Sequence, residues 1–309
     1  MMPVFFDAHN HLQDEWLRPH LEQIADDLAA AGVAGAVVNG TCEADWPDVA
    51  ALARRFPWVR PSYGLHPWDV GNASPHWRET LLRTLDADPR AAVGEIGLDR
   101  WILERARPDD PRLAGLRRAP LEEQIDAIRS QLELAAERNL PVSIHCLDAW
   151  GVLDETLRQT PLPARGFLLH AYGGSAEMAR GFAALGAYFS FNGNFLPPGP
   201  IEDRRNPTTP ASTDSKKTSE AARDATRARR YAEAFAAIPT DRLLVETDAP
   251  AMPLPEGRRP YSLPPRADGT VVNHPANLAA AYAGLAGFLQ RPPEALALQI
   301  AANFHRFFE

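Results

Sequence analysis

Cysteine is scarce in this sequence, and so are long apolar runs. Only Cys42 and Cys146 occur in 309 residues, too few for a disulfide framework. No uncharged apolar run approaches the roughly 18–20 residues that a bilayer requires. The segment from Met1 to Leu12 lacks a basic start and is interrupted by an aspartate and two histidines, which is unlike a signal peptide. We therefore expect a cytoplasmic protein that does not enter a membrane.

Positive charge is also in short supply, because the net charge is −8 at pH 7. A protein of this charge has no global attraction for nucleic acid, so a phosphate-bearing substrate would have to be held locally. The exception is the stretch 204–230, with eight basic and three acidic residues. Two interpretations remain open: a solvated loop that runs into a charged helix face, or a local lid that attracts phosphate.

Apolar runs that alternate with amphipathic stretches indicate the fold. Runs rich in Val, Ile, Leu and Phe predict strands at 3–8, 33–40, 59–65, 91–96, 141–146, 166–171, 187–191 and 242–247. Eight successive strand–helix units predict an α/β fold, a (β/α)8 TIM barrel, over a single domain 1–309. The alternation of strand and helix patterns is interrupted at about 100–119 and 194–230, where we expect long loop insertions. A doubly wound open sheet is the rival interpretation.

Side chains that can bind metal lie at the ends of the first, fourth, fifth, sixth and eighth predicted strands. A doubly wound open sheet would not predict potential ligands on so many strands. These side chains are His9, His11, Glu95, His145, His170 and Asp248. The carboxyl ends of barrel strands converge on one mouth, where active sites of this fold lie. Imidazole and carboxylate ligands suit Zn, Mn, Fe or Co, and Mg less well. Six ligands exceed the three that one catalytic ion needs, so a two-metal site is expected.

These segments, in this order, resemble the TatD family of metal-dependent hydrolases. The resemblance rests on Asp7-Ala8-His9-Asn10-His11-Leu12, Gly94-Glu95-Ile96-Gly97-Leu98-Asp99, Pro141-Val142-Ser143-Ile144-His145, the His170 segment and Glu246-Thr247-Asp248-Ala249-Pro250. It is collinear from residue 3 to about residue 305. It implies an amidohydrolase-type TIM barrel with a dinuclear metal centre. The implied activity is phosphodiester hydrolysis in DNA, of the 3′ to 5′ exonuclease kind.

The resemblance also implies a role for each site residue. One divalent ion would be held by four side chains: His9, His11, Glu95 and Asp248. Glu95 would bridge to a second ion held by His145 and His170, and the ions would be Mg, Mn, Zn or Co. Asp248 would be the catalytic residue that takes the proton from the attacking water. His66 would contact a metal ligand or the substrate phosphate, with a purely structural role as the alternative.

One position departs from the family pattern. Family members commonly carry an arginine two places after the fifth-strand histidine, where this chain has Leu147. The substrate is therefore open between DNA, or another phosphodiester, and a small ester, lactone, amide or phosphate ester, since one metal pair can activate water for either. A non-catalytic metal-binding scaffold is the alternative from another class. We expect no protein partner.

Overall fold

The protein folds around one eight-stranded parallel sheet, which confirms the predicted barrel. The computed structural model describes residues 4–197 and 215–309, with side chains for 4–197 and 226–309. Each strand pairs with the next one along the chain. The strands are β1 Phe5–Asn10, β2 Val33–Asn39, β3 Val59–Tyr63, β4 Ala92–Asp99, β5 Val142–Leu147, β6 Phe167–Leu169, β7 Ala187–Asn192 and β8 Leu243–Glu246.

Helices connect successive strands, as the alternating pattern predicts. They are α1 Leu21–Ala30, α2 Trp46–Arg55, α3 Trp77–Asp86, α4 Trp101–Glu104, α5 Leu121–Arg138, α6 Trp150–Gln159, α7 Ala176–Ala184, α8 Ser215–Ala236, α9 Leu278–Leu289 and α10 Pro293–Phe308. Short 3-10 turns lie at Arg18–His20, Val70–Asn72, Pro111–Leu113, Gly193–Phe195, Thr240–Arg242 and Pro275–Asn277. Within residues 4–197 and 215–309, no helix combines the length and apolar character that crossing a membrane requires.

The first and last strands meet at a seam that polar groups hold together. The Asp248 amide donates to the His9 carbonyl at 3.0 Å, and the His11 amide donates to the Ala249 carbonyl at 2.8 Å. The fully buried Asp7 carboxylate accepts from the Thr247 hydroxyl at 2.6 Å. These bonds fix the ends of β1 and β8 against each other, so His9, His11 and Asp248 approach one another through the backbone.

The two segments predicted as loop insertions are partly helical. Residues 100–119 begin with α4 and include a 3-10 turn. In the second segment, residues 198–214 lie outside the described part of the chain, whereas α8 runs from Ser215. A helix here agrees with the interpretation of a loop that runs into a charged helix face, and its many Ala and Arg residues favour helix formation. The extent of a single domain over 1–309 stays a prediction.

Strand β4 is longer than predicted and continues to Asp99, because Gly97, Leu98 and Asp99 pair with β5. Gly97 lies opposite His145, with φ +154°, and a Cβ atom at this position would overlap the His145 carbonyl oxygen. Glycine is thus required where the β4 backbone passes the His145 carbonyl group.

We predict that Gly97→Ala destabilises the protein by about 2 kcal/mol or more, because the methyl group adds overlap to an unfavourable backbone conformation. Gly287→Ala is the matched control. Gly287 lies on α9, and its Cβ would meet no atom within 4 Å. There the same substitution should stabilise the helix by about 0.5–1 kcal/mol. Urea unfolding of both variants measures the difference, and equal stabilities would contradict the packing argument.

Candidate metal centre

A cavity of about 1460 Å³ opens at the carboxyl ends of the strands. Five of the six predicted ligands line it: His11, Glu95, His145, His170 and Asp248. The sixth, His9, is fully buried immediately behind them. The structure therefore brings together all six side chains that the strand-end argument singled out. His66, from the segment after β3, lines the same cavity.

A first group of potential ligand atoms lies around Oε2 of Glu95. The Nε2 atoms of His9 and His11 lie 3.4 Å and 3.2 Å from Glu95 Oε2. The two nitrogens are 3.3 Å apart. Asp248 Oδ1 completes the group, 3.8 Å from His9 Nε2 and 3.5 Å from His11 Nε2. Four potential ligand atoms thus face one small volume.

A second group of potential ligand atoms lies around Oε1 of Glu95. His145 Nδ1 and His170 Nε2 lie 3.1 Å and 2.8 Å from Glu95 Oε1. These two nitrogens are 3.2 Å apart. Glu95 is only 3% exposed, and His66 Nε2 also approaches Oε1, at 3.5 Å. The carboxylate stands between the two groups in the position of a bridge.

The donor atoms are spaced for metal binding. Atoms that bind one tetrahedral ion at 2.0–2.1 Å lie about 3.4 Å apart. The separations around each oxygen of Glu95, from 2.8 Å to 3.8 Å, scatter around that value. Three overlapping groups of possible ligands lie within 4.8 Å: His9, His170 and Asp248; His9, His11 and Glu95; His66, Glu95 and His145. The residues present therefore fit divalent ions of the predicted kind.

The far nitrogen of each β1 histidine is anchored within the barrel. His11 Nδ1 lies 2.8 Å from the Asn39 carbonyl oxygen, which can only accept, so Nδ1 carries a proton. His9 Nδ1 contacts the Ser143 hydroxyl at 2.8 Å. Such contacts fix ring orientation and tautomer, as outer partners of metal-binding histidines commonly do. In neutral His11, the Nε2 lone pair is left free to face a cation.

A carboxylate lies behind each histidine of the second group, but only the one behind His145 is within hydrogen-bond distance. His145 Nε2 lies 3.2 Å from Asp99 Oδ2, so a proton on this nitrogen is held by the carboxylate and Nδ1 faces the centre. His170 Nδ1 lies 3.7 Å from Glu246 Oε1, too far for a direct hydrogen bond. Glu246 is itself held by the hydroxyl of Ser190 and the amide of Asn192.

His66 is oriented as a donor and not as a ligand. Its Nδ1 atom accepts a hydrogen bond of 3.2 Å from the backbone amide of Trp68. The proton of the neutral ring is therefore on Nε2, which lies 3.5 Å from Glu95 Oε1. This donor faces Glu95, which fits the predicted contact with a metal ligand. His66 also lines the cavity, so the predicted substrate contact is open to it as well.

Asp248 has the geometry of a strained functional residue. Its backbone lies in the left-handed region, with φ 54°, a conformation that costs a non-glycine residue about 1–3 kcal/mol. Its side chain is 11% exposed and borders the cavity, whereas that of Glu95 is 3% exposed. Of the two carboxylates around the first group, Asp248 is thus the one that water reaches more readily.

The pKa values of these histidines and carboxylates depend on their burial and on the charges of their close neighbours. Burial alone would raise the pKa of Glu95, but the charges of His170, His66 and His9 hold it well below the ordinary value. Burial would lower the pKa of His145, but Asp99 and Glu95 raise it to about 9. Metal-free protein therefore holds protons where cations would bind.

Two residues that support the candidate centre, Asp99 and Trp68, were not predicted from the sequence. Asp99 ends β4 and accepts a 2.7 Å hydrogen bond from the Trp68 indole, on the oxygen that faces His145. Trp101 of α4 stacks on Trp68 with ring centroids 6.2 Å apart. Asp99 is four residues after Glu95 on one face of the strand, a signal that could have revealed it, whereas no local pattern identifies Trp68.

A family model described as TatD related DNase matches residues 6–204 and 219–309. The chain belongs to this family. The match confirms the resemblance carried by the strand-end motifs, and with it the prediction of a metal-dependent hydrolase. Eight parallel strands with the site at their carboxyl ends agree with that assignment.

Individual relatives cover nearly the whole chain. A protein of Erwinia billingiae named 3′-5′ ssDNA/RNA exonuclease TatD is 29% identical, over 98% of each chain. The solved structure of YjjV, a TatD homologue from Escherichia coli, matches with a TM-score of 0.74 and 26% identity, over 99% of this chain and 98% of that one. A TatD family hydrolase from Entamoeba histolytica shares the fold, with a TM-score of 0.73 and 16% identity over 99% and 98%.

We predict that Asp99→Asn weakens metal binding at the His145 side by about 10- to 100-fold, the usual effect of losing an outer carboxylate partner. Calorimetric titration of metal-stripped protein measures this change. Asp48→Asn is the control, because Asp48 also lines the cavity but pairs with Arg18 at 2.7 Å. Equal affinities in the two variants would show that Asp99 does not hold His145 for a cation.

Metal binding should also release protons, because a cation must displace them from histidines such as His145, whose pKa is about 9. Below that value the proton competes with the cation. Affinity should therefore increase as the pH rises toward about 9. Calorimetry in buffers of different ionisation enthalpy measures the released protons. A binding heat that is independent of the buffer would contradict this expectation.

Proposed function

We propose that this protein hydrolyses phosphodiester bonds in single-stranded nucleic acid from the 3′ end, using water activated by two divalent ions. The observation that carries the proposal is the position of Glu95, with one oxygen facing His9 and His11 and the other facing His145 and His170. Two-metal sites are typical of enzymes that cleave phosphodiesters. The Erwinia billingiae relative named a 3′-5′ ssDNA/RNA exonuclease supports the choice of substrate.

In this proposal each side chain has a defined role. His9, His11, Glu95 and Asp248 would hold one ion, and Glu95, His145 and His170 would hold the other, with Mg, Mn, Zn and Co as the candidate metals. The ions, when bound, supply an acidified water and neutralise charge on the phosphate. The residue roles rest on the geometry above and on the family membership.

Asp248 accepts the proton of the attacking water. Burial would raise its pKa, but the hydrogen bond with His11 and the charges of His170 and His9 lower it, so the carboxylate is ionised and ready to accept. His66 donates from Nε2 to a phosphate oxygen. Both groups border the open cavity, where a substrate can reach them.

A small ester, lactone, amide or phosphate ester is the second candidate substrate. Leu147 favours it, because this side chain is 39% exposed and lines the cavity where family members commonly carry an arginine. Several carboxylates also line the cavity, among them Asp14, Asp45 and Asp69. Family membership favours an enzyme over the non-catalytic scaffold. A cytoplasmic location remains part of the proposal.

The test is hydrolysis of single-stranded DNA and of bis(p-nitrophenyl) phosphate by metal-stripped protein, titrated with Mg, Mn, Co and Zn. Restored cleavage of both substrates supports the proposal. Binding of two equivalents of metal without phosphodiester cleavage would favour the small-molecule substrate instead. Cleavage that is indifferent to metal would contradict both.

We predict that Asp248→Asn lowers kcat by about 100- to 10,000-fold while the fold is kept, because the amide cannot accept the proton. Steady-state kinetics with added metal and a thermal unfolding curve measure the two effects. Asp48→Asn, which also changes a carboxylate at the cavity, is the control and should retain activity. Wild-type turnover by the Asp248 variant would remove this residue from the mechanism.

A further inference from the structure

Helix α8 presents two arginines to the cavity of the metal centre. Arg227 and Arg230 line it, together with Glu233 one turn further along the same face. Spacings of three residues place side chains on one side of a helix. Arg229, between them, does not line the cavity and pairs with Glu233 at 3.4 Å. The side of the helix toward the cavity therefore carries two basic groups and one acidic group, while Arg229, with a side chain 76% exposed, extends toward solvent.

The position of α8 is fixed by aromatic packing against β7. Tyr231 and Phe235 are buried, and both contact Phe191. The Tyr231 hydroxyl accepts a 3.0 Å hydrogen bond from the Asn192 amide. The guanidinium of Arg227 lies 4.2 Å from the ring centre of Phe195, a cation–π contact that orients it. The arginines thus extend from an anchored part of the helix.

Charge is divided unequally around the cavity. Asp14, Asp45, Asp48 and Asp69 come from segments that follow β1, β2 and β3, and Asp148 follows β5. Two further arginines line the cavity: Arg18, whose charge is balanced by Asp48 at 2.7 Å, and Arg266, which covers the ring of Trp16 at 4.7 Å. A polyanion would be repelled from the β1–β3 side and attracted to α8.

Resting on the proposed function, we infer that Arg227, Arg230 and the ring of Phe195 form a subsite for the backbone of single-stranded nucleic acid. We name it the α8 subsite. The subsite supplies positive charge to the cavity, which has Leu147 where family members commonly carry an arginine. It binds phosphates of the strand other than the one being cleaved. Its ligand is a chain of phosphodiesters, because arginines beside an aromatic ring match the phosphates and bases of a single strand. A small monoester would gain nothing from it.

The test compares Arg227→Gln/Arg230→Gln with Arg229→Gln, which removes a charge from the same helix outside the cavity. Binding of a fluorescein-labelled oligothymidylate of about ten nucleotides is measured by fluorescence anisotropy at several salt concentrations, in chelator so that no cleavage occurs. The double variant should bind about tenfold more weakly, and its salt slope should fall by about 1.4, or about 0.7 for each lost phosphate contact. Arg229→Gln should bind like the wild type.

Three further measurements identify the cause of any change: binding by a lysine variant, thermal unfolding, and steady-state kinetics. Arg227→Lys/Arg230→Lys keeps the charge and should recover most of the affinity, and thermal unfolding should show that all variants fold. With metal added, the double glutamine variant should have a raised KM for the oligonucleotide and unchanged hydrolysis of bis(p-nitrophenyl) phosphate. Equal loss of activity on both substrates would place the arginines at the scissile phosphate and overturn the subsite.

Failure of this inference and of the proposed function can be told apart. Wild-type affinity in the double variant, equal weakening by Arg229→Gln, or no binding by the wild-type protein would overturn the α8 subsite. Tight, arginine-dependent binding without hydrolysis of any phosphodiester would overturn the proposed reaction and leave the subsite supported.

Discussion

The buried carboxylate of Glu95 is the constraint on which the rest of the site depends. An ion at this depth costs several kcal/mol unless charge of the opposite sign surrounds it. Here β1, β5 and β6 each bring histidines to it, and the segment after β3 adds His66. The barrel makes this possible because every strand delivers its carboxyl end to the same mouth. One carboxylate with separate surroundings for each oxygen then sets the spacing of the two groups of ligands.

Much of this could be predicted from the sequence. Buried strands ending in His, Glu or Asp define both the barrel and the six converging side chains, because strand order and direction leave those ends only one place to meet. The identity of the facing nitrogen could not be predicted. His145 presents Nδ1 and His11 presents Nε2, and each choice depends on a distant partner, Asp99 in one case and the Asn39 carbonyl in the other.

Other features depend on tertiary contacts that carry no local signal. Trp68 reaches Asp99 only because β3 lies beside β4, and α4 supplies the ring that stacks on it. The predicted loop at 194–230 was inferred from charge and proline, whereas α8 is stabilised from Tyr231 onward by burial against β7. Of the basic residues in that segment, Arg204 and Arg205 lie outside the described residues. The interpretation of this segment as one that attracts phosphate therefore rests on Arg227 and Arg230.

The two halves of the metal centre are held by different kinds of force. Asp248 reaches the His9 and His11 pair through main-chain hydrogen bonds across the β1–β8 seam, so this carboxylate is positioned by the backbone, with a left-handed φ of 54°. His145 is positioned by a side chain, Asp99. Since this main-chain pairing does not involve the side chain, we expect the backbone position of residue 248 to persist when its carboxylate is replaced. The His145 side depends instead on a carboxylate that lies outside the ligand set.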